Sequence, residues 1–235
     1  MIYVCSDIHG NYEKYRALIE KISLRDEDTL YVLGDVIDRG PEGVRILQDM
    51  MTRPNVVPLL GNHELIAASC LGWMLEEITE TSLAALGPAQ LGALHGWMGN
   101  GGEPTFRAVC RLPREEREAL LEYLQEMELY AQVEAGGRVF LLVHAGLDQF
   151  DPDKELEDYD LEDFLFCRPD LEKTYYSDKY LLYGHTPTRV LYQQLGKPPA
   201  DTILHRGRQI AIDCGCGWDG RLGCLCLDTM EEWYV

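Results

Sequence analysis

A long hydrophobic run is missing from this chain. None of its apolar stretches approaches the roughly 20 residues that a membrane-spanning helix needs, so no membrane span is expected. The opening residues, MIYVCSDIHG, show no basic leader followed by an apolar stretch and a small-residue cleavage site. A cytoplasmic protein is therefore expected. Positive charge is scarce: Lys and Arg number 21 against 40 Asp and Glu, for a formal charge of −19. That balance offers no basic patch for a nucleic-acid backbone, and duplex binding is not expected. An anionic substrate would need local help from metal ions or from well-placed arginines. Internal repeats and low-complexity tracts are also missing, which excludes solenoids and repeat arrays.

Cysteine, by contrast, is plentiful, with eight thiols. They sit mostly inside apolar runs, so reduced, buried thiols are expected rather than a disulfide framework. Cys214 with Cys216, and Cys224 with Cys226, each place two side chains on one face of a strand. Structural zinc more usually takes the wider C-x₂₋₄-C spacing, so strand core is the favoured reading there. The acidic residues concentrate between Asp148 and Asp178, which reads as a solvated loop with one short helix around Leu161 to Phe166.

The first part of the chain alternates strand and helix. IYVC at 2–5, TLYVLG from Thr29 and VVPLLG from Val56 favour strands. The first helix follows Asn11, a good N-cap, with Tyr15, Leu18, Ile19 and Ile22 on one face. A second opens at Pro41, and a third covers ELIAASCLGWM. This order predicts right-handed βαβ crossovers in an α/β fold. The stretch 79–133 reads as a helical insertion with a Gly-rich break, WMGNGGEPTF, inside one domain spanning 1–235. It is expected to cover one side of the crevice, where Trp97 could stack on a base or simply pack the insertion on the core. Strands resume at 138–143 and 180–183, and short antiparallel strands close the chain at QIAID, GCLCLD and EEWYV.

The residues just past the strands carry the chemical signal. After IYVC come Asp7 and His9; after TLYVLG, Asp35; after VVPLLG, Asn62 and His63; after RVFLLV, His144; after YLLYG, His185. In α/β sheets the C-terminal strand ends face a common crevice. Each residue alone would be an ordinary turn or core residue, so the inference rests on the set. Carboxylates, imidazoles and one amide oxygen suit two borderline or hard divalent ions. Such a pair needs a bridging group, and it can activate water and clamp the oxygens of a phosphoryl group. Metal-assisted hydrolysis of an anionic ester is the chemistry these residues suggest.

The motifs DIHG at 7–10, GDVIDRG at 34–40, GNHE at 61–64, HAG at 144–146 and GHT at 184–186 resemble, in order, those of the calcineurin-like metallophosphoesterases. NGG at 100–102 and IDCGCGWDGRLGCLCLD near the C-terminus extend the resemblance over nearly the whole chain. The branch it looks most like holds the serine/threonine protein phosphatases and their bacterial relatives. The resemblance implies a β-sandwich flanked by helices on both faces. It implies that Asp7 and His9 bind one metal, that Asp35 bridges, and that Asn62, His144 and His185 complete the second site. The ions would be manganese first, with iron, zinc or nickel as alternatives. His63 would be the general acid, oriented by Asp38, and Arg39 and Arg168 would hold phosphate oxygens alongside Asn62 and His63. A metal-bridging hydroxide would attack phosphorus directly.

Two positions depart from single-branch patterns. Many protein phosphatases of this kind carry arginine where Leu60 stands, and the symmetrical dinucleoside tetraphosphate hydrolases tend to have an apolar residue there. Those hydrolases usually lack the second acid of GDVIDRG, which here is Asp38. The expected substrate is a phosphomonoester on protein or a similar small phosphoester, with a dinucleoside polyphosphate as the alternative. A catalytically inactive phospho-ligand-binding module is the reading from another class, and it is disfavoured because no expected ligand and no acid is lost.

Overall fold

The computed structural model describes residues 1–73, 75, 81 and 87–235. Met74, which ends the expected third helix, and most of the first residues of the expected insertion lie outside them.

Two five-stranded mixed sheets form the centre, and the sequence dictates where each strand faces. β1 (Ile2–Cys5), β2 (Thr29–Val32) and β3 (Val56–Pro58) run parallel, and β9 (Gly223–Cys226) and β10 (Glu232–Tyr234) add antiparallel strands beyond β1. The second sheet has the order β4 (Tyr130–Ala135), β5 (Arg138–Val143), β6 (Lys179–Tyr183), β8 (Gln209–Ala211) and β7 (Leu204–Arg206). Side chains alternate across each strand. Val4 of β1, Leu225 of β9, Phe140 and Leu142 of β5, Leu182 of β6 and Ile210 of β8 all enter one buried cluster between the sheets. Tyr3, Cys5, Leu141, Val143, Leu181 and Tyr183, one residue out of phase, belong to the outer core beneath the helices. Full burial of an aliphatic or Phe side chain contributes about 1.5–3 kcal/mol, so both faces of each sheet stabilise the sandwich.

Helices α1 (Tyr12–Ile22) and α2 (Gly43–Met51) connect β1 to β2 and β2 to β3, and α3 (Asn62–Leu71) leaves β3 toward the second half of the chain. The Asn11 side chain caps α1 by accepting from the Lys14 N–H at 3.2 Å, and Tyr15, Leu18 and Ile22 are its buried face. The helical segment that follows contains α4 (Pro88–Trp97), a π-helical turn at Met98–Gly102, α5 (Glu103–Val109) and α6 (Arg114–Gln125). The short α7 (Leu161–Leu165) and α8 (Thr188–Gln194) lie in the second half. This is the expected α/β sandwich with helices on both faces.

Three details differ from the sequence reading. The stretch 79–133 is not helical to its end, because β4 begins at Tyr130 and pairs antiparallel with β5 over six residues. Ala131, Val133 and Ala135 face the core and alternate with the exposed Gln132 and Glu134, as on an edge strand. β8 pairs parallel with β6 and antiparallel with β7, so the closing strands are not uniformly antiparallel. The helix expected to open at Pro41 begins at Gly43. Among the described residues no helix is long and apolar enough to cross a membrane.

All eight cysteines are free, and every one except the half-buried Cys110 is buried. Cys5 and Cys224 face each other across the β1–β9 pairing. No cysteine joins a metal-type cluster among the described residues. Cys224 and Cys226 lie on one face of β9 as expected, whereas Cys214 and Cys216 are in the loop after β8 and enter the two separate core clusters, because the strand ends at Ala211. Burial pushes the Cys70 thiol up to about 11 and those of Cys167 and Cys216 to about 12, which suppresses the reactive thiolate. Titration of the native protein with an aromatic disulfide reagent should show no more than one fast thiol, at Cys110, and eight after denaturation. Several fast native thiols would show that the β1–β9 region opens readily.

Candidate metal centre

The common edge of the two sheets assembles the site. β1, β2 and β3 are parallel in one sheet and β5 and β6 in the other, so five strands end on the same side and deliver Asp7, His9, Asp35, Asn62, His63, His144 and His185 there. Backbone hydrogen bonds lace the loops together: Asp7 N–H to Gly34 O at 3.1 Å, His9 N–H to Asp35 O at 2.9 Å, and Gly184 N–H to His144 O at 2.7 Å. Among the described residues, six of the nine non-glycine residues with positive φ are Asp7, His9, Asp35, Asp38, Arg39 and His185. Such conformations cost energy and persist where the surroundings over-determine them. Gly184 is needed for contact: a Cβ there would stand 2.2 Å from Asp7 Oδ2.

Asp35 lies at the centre, 2% exposed. Its Oδ2 is 3.6 Å from His9 Nε2 and 3.8 Å from His63 Nε2, while its Oδ1 is 3.5 Å from His144 Nε2. The two oxygens thus face two groups, His9–Asp35–His63 and Asp35–His144–His185, each with ligand atoms close enough to share a cation. Two carbonyls set the imidazole tautomers. His9 Nδ1 donates to Ile37 O at 3.0 Å and His144 Nδ1 to Leu33 O at 2.7 Å, which turns both Nε2 lone pairs toward the centre. Asn62 Oδ1, His144 Nε2 and His185 Nδ1 converge at 2.9, 3.0 and 3.2 Å from one another.

The electrostatics call for a cation. Burial drops His9 to about 3 and His185 to about 4, which favours the neutral rings that a cation needs, although His9 Nε2 here accepts from Arg39. Burial works against charge on Asp35, but His144, His63, His9 and His185 outweigh it and hold that carboxyl well below its usual range. Asp7, which accepts from the Ser6 hydroxyl and from the His185 N–H, is raised by burial and by Asp213 and Asp35. Burial likewise carries Asp213 up to about 7. Buried carboxylates with converging neutral imidazoles and one amide oxygen fit divalent ions of the manganese, iron and zinc type.

His63 stands beside this cluster. Its Nδ1 is 2.7 Å from Asp38 Oδ2. Burial disfavours the imidazolium, yet the Asp35 carboxylate and the Asp38 hydrogen bond outweigh it, and His63 lies above its ordinary value. Arg39 reaches the same place: its Nη1 donates to His9 Nε2 at 2.6 Å, and its guanidinium lies 4.8 Å from the Trp218 ring centroid. Arg168 is exposed in a cleft of about 620 Å³ also lined by Asp35, Arg39, His63, Asn100, Phe166, His185 and Trp218. Among the described residues it makes no ion pair, whereas Arg25, Arg45, Arg53, Arg189 and Arg206 do. Trp97 is fully buried and donates its indole N–H to Asp38 Oδ2 at 2.9 Å, so it is not free to stack on a base.

Some site residues escaped the sequence reading. Glu64 sits inside GNHE without an assigned task, yet its buried carboxylate accepts from the N–H groups of Asp35, Val36 and Ile37 at 2.7, 2.9 and 3.1 Å. It holds the GDVIDRG loop in its left-handed turns, and its place directly after His63 was the available signal. Asp213 lies in IDCGCGWDG, and Trp218 and Phe166 are among the few large exposed hydrophobics. Glu64→Gln puts an amide NH₂ where backbone donors point. It should cost about 2–4 kcal/mol in urea unfolding, and an unchanged midpoint would show that the loop holds itself.

The family profile described as calcineurin-like phosphoesterase matches residues 1–212. A symmetrical bis(5'-nucleosyl)-tetraphosphatase of Acidovorax ebreus is 30% identical over 148 residues, covering 62% of this chain and 44% of that protein. The namesake protein of Baumannia cicadellinicola is 23% identical over 98% of this chain and 69% of its own length. The chain thus spans less than half the length of the curated relatives it matches at higher identity. Among solved structures, one provisionally assigned as a diadenosine tetraphosphatase superposes with a TM-score of 0.65 at 16% identity, covering 100% of this chain and 92% of that one. A serine/threonine phosphatase of Saccharomyces cerevisiae gives 0.57 at 13% identity, covering 95% and 71%. These two likenesses concern the fold. With the profile spanning the strand ends that gather the buried carboxylates and imidazoles, the chain belongs to the calcineurin-like phosphoesterase family.

Proposed function

We propose that the chain is a phosphoester hydrolase working with two divalent ions, manganese foremost. The observation that carries the reading is Asp35, whose two oxygens face two ligand groups, next to a histidine held 2.7 Å from Asp38. Asp7, His9 and Asp35 would hold one ion, and Asp35, Asn62, His144 and His185 the other. Bound there, such a pair would supply an activated water and neutralise charge on phosphoryl oxygens. Arg39 and Arg168 grip and orient the phosphate, a task suited to the guanidinium fork. His63 carries its Nδ1 hydrogen toward Asp38, so Nε2 faces the cleft and delivers a proton to the leaving oxygen. A neighbouring carboxylate keeps the imidazole in that tautomer and favours its charged form.

The investment in that acid favours a phosphomonoester of an alcohol, as on a phosphorylated protein. An alkoxide is a poor leaving group and gains most from protonation. A second reading, a dinucleoside polyphosphate hydrolase, is favoured by the cleft walls. Phe166 and Trp218 line it at 44% and 61% exposure. Exposed aromatics beside a phosphate site suit a base, and the relatives that match in sequence are named for such substrates.

Hydrolysis by the manganese-loaded protein of phosphoserine and phosphothreonine peptides against diadenosine tetraphosphate separates the two readings. Higher kcat/KM is expected on the peptides, and strong preference for the dinucleotide would establish the second reading. Failure to hydrolyse any substrate with manganese, iron, zinc or nickel would leave only a binding module. His63→Asn should lower kcat by about 10²–10⁴ with metal content unchanged, and full activity in that variant would remove His63 as the acid. Arg168→Ala should raise KM for the phosphopeptides, and an unaltered KM would place Arg168 outside the phosphate site.

A further inference from the structure

The helical segment after α3 does more than wall the cleft, because two of its side chains finish the hydrogen bonding of Asp38. Asp38 is fully buried and sits in a left-handed turn at φ 68°. Its Oδ1 accepts from the Thr105 hydroxyl at 2.6 Å, and the same hydroxyl oxygen accepts from the Asp38 backbone N–H at 3.0 Å. Its Oδ2 accepts from Trp97 Nε1 at 2.9 Å and from His63 Nδ1 at 2.7 Å. Both helper residues are buried, Trp97 at 0% and Thr105 at 3% exposure. The indole lies flat against Gly102, where a Cβ would come 2.4 Å from its ring. The intervening π-helical turn adds a further link, since Gly101 O accepts from the Arg39 N–H at 2.8 Å. Single π-turns inside α-helical segments are frequent at functional sites.

These contacts fix a plane. A carboxylate held only by His63 could rotate about its Cβ–Cγ bond and present either oxygen, or neither, to Nδ1. Thr105 holds one oxygen, and Trp97, which can only donate, holds the other as an acceptor. Asp38 Oδ2 then has one direction left, toward His63 Nδ1, and the ring is kept with Nε2 on the cleft side. We propose that Trp97 and Thr105 are positioning residues for His63, acting through Asp38. The inference rests on the reading of His63 as the general acid.

Leaving-group dependence tests it, because a displaced acid harms substrates with poor leaving groups and spares good ones. The manganese-loaded enzyme and the Thr105→Val, Thr105→Ser, Trp97→Phe and His63→Asn variants would be compared on phenyl phosphate and dinitrophenyl phosphate. Thr105→Val keeps the shape and loses the hydroxyl, and Trp97→Phe keeps an aromatic ring and loses the N–H. Each should lower kcat on phenyl phosphate by about tenfold or more and change it far less on dinitrophenyl phosphate, with little effect on KM. Thr105→Ser should restore most of the loss. Equal losses on both substrates, or none on either, would overturn the proposal, and Thr105→Ser behaving like Thr105→Val would do the same. If Thr105→Val does not fold, Trp97→Phe decides the question by the same comparison. If His63→Asn itself shows no selective loss on phenyl phosphate, the acid reading falls and this inference with it. A selective loss in His63→Asn alone would overturn only the positioning roles.

Discussion

A carboxylate buried among imidazoles is the constraint on which the rest of this structure depends. Asp35 is almost wholly withdrawn from water, and an isolated ion so placed would be far too costly to keep charged. It stays charged because His144, His63, His9 and His185 surround it. The imidazoles in turn are aimed by backbone carbonyls of the loop and strand ends that precede and follow Asp35, through Ile37 O and Leu33 O. Burial, with Asp213 and Asp35 beside it, raises Asp7, and burial raises Asp213, so three buried carboxyls share one corner of the fold. A fold that stores this much acidity in one place is built to receive cations.

Holding such a cluster requires backbone conformations that unconstrained residues avoid. Asp7, His9, Asp35, Asp38, Arg39 and His185 all adopt positive φ, and their turns persist because neighbouring groups leave no alternative. Glu64 is the clearest of these supports. Its carboxylate takes three consecutive N–H groups that the turn would otherwise leave without partners. Buried N–H groups are almost always paired, so one side chain on α3 shapes the loop that carries Asp35, Asp38 and Arg39. Burial and the Asp35 charge push that same carboxyl up to about 7, against the donors that favour its ionised form. The loop's shape and the charge of the centre are therefore linked.

The legibility of the site followed from how each residue is delivered. Asp7, Asp35, Asn62, His144 and His185 each follow a short β-favouring run, and a parallel strand leaves its next residues at a fixed edge. The pattern could be seen without the fold because it is local, a few residues from a strand end. The pairing of the closing strands could not, since β8 joins β6 in parallel by a crossover that short apolar runs do not announce. β4 was hidden as well: its alanines, glutamine and glutamate are good helix formers and follow a helical stretch, which masked their period-2 alternation.

By itself the sequence determined which carboxylates, imidazoles and amide stand at strand ends and in what order, because strand periodicity and the residues at strand ends are short-range properties; the sandwich was implied by the resemblance of the motifs. Only the tertiary structure decided what those groups lean on. Trp97 and Thr105 meet Asp38 across 59 and 67 residues, Asp213 is folded against Asp7 from near the C-terminus, and Phe166 and Trp218 come to line one cleft from separate loops. Contacts at such separations arise from packing and leave no spacing in the chain by which to find them. Asp38 and His63 were therefore visible in GDVIDRG and GNHE, while the side chains that complete the hydrogen bonding of that pair emerged only when the helical segment was laid over it.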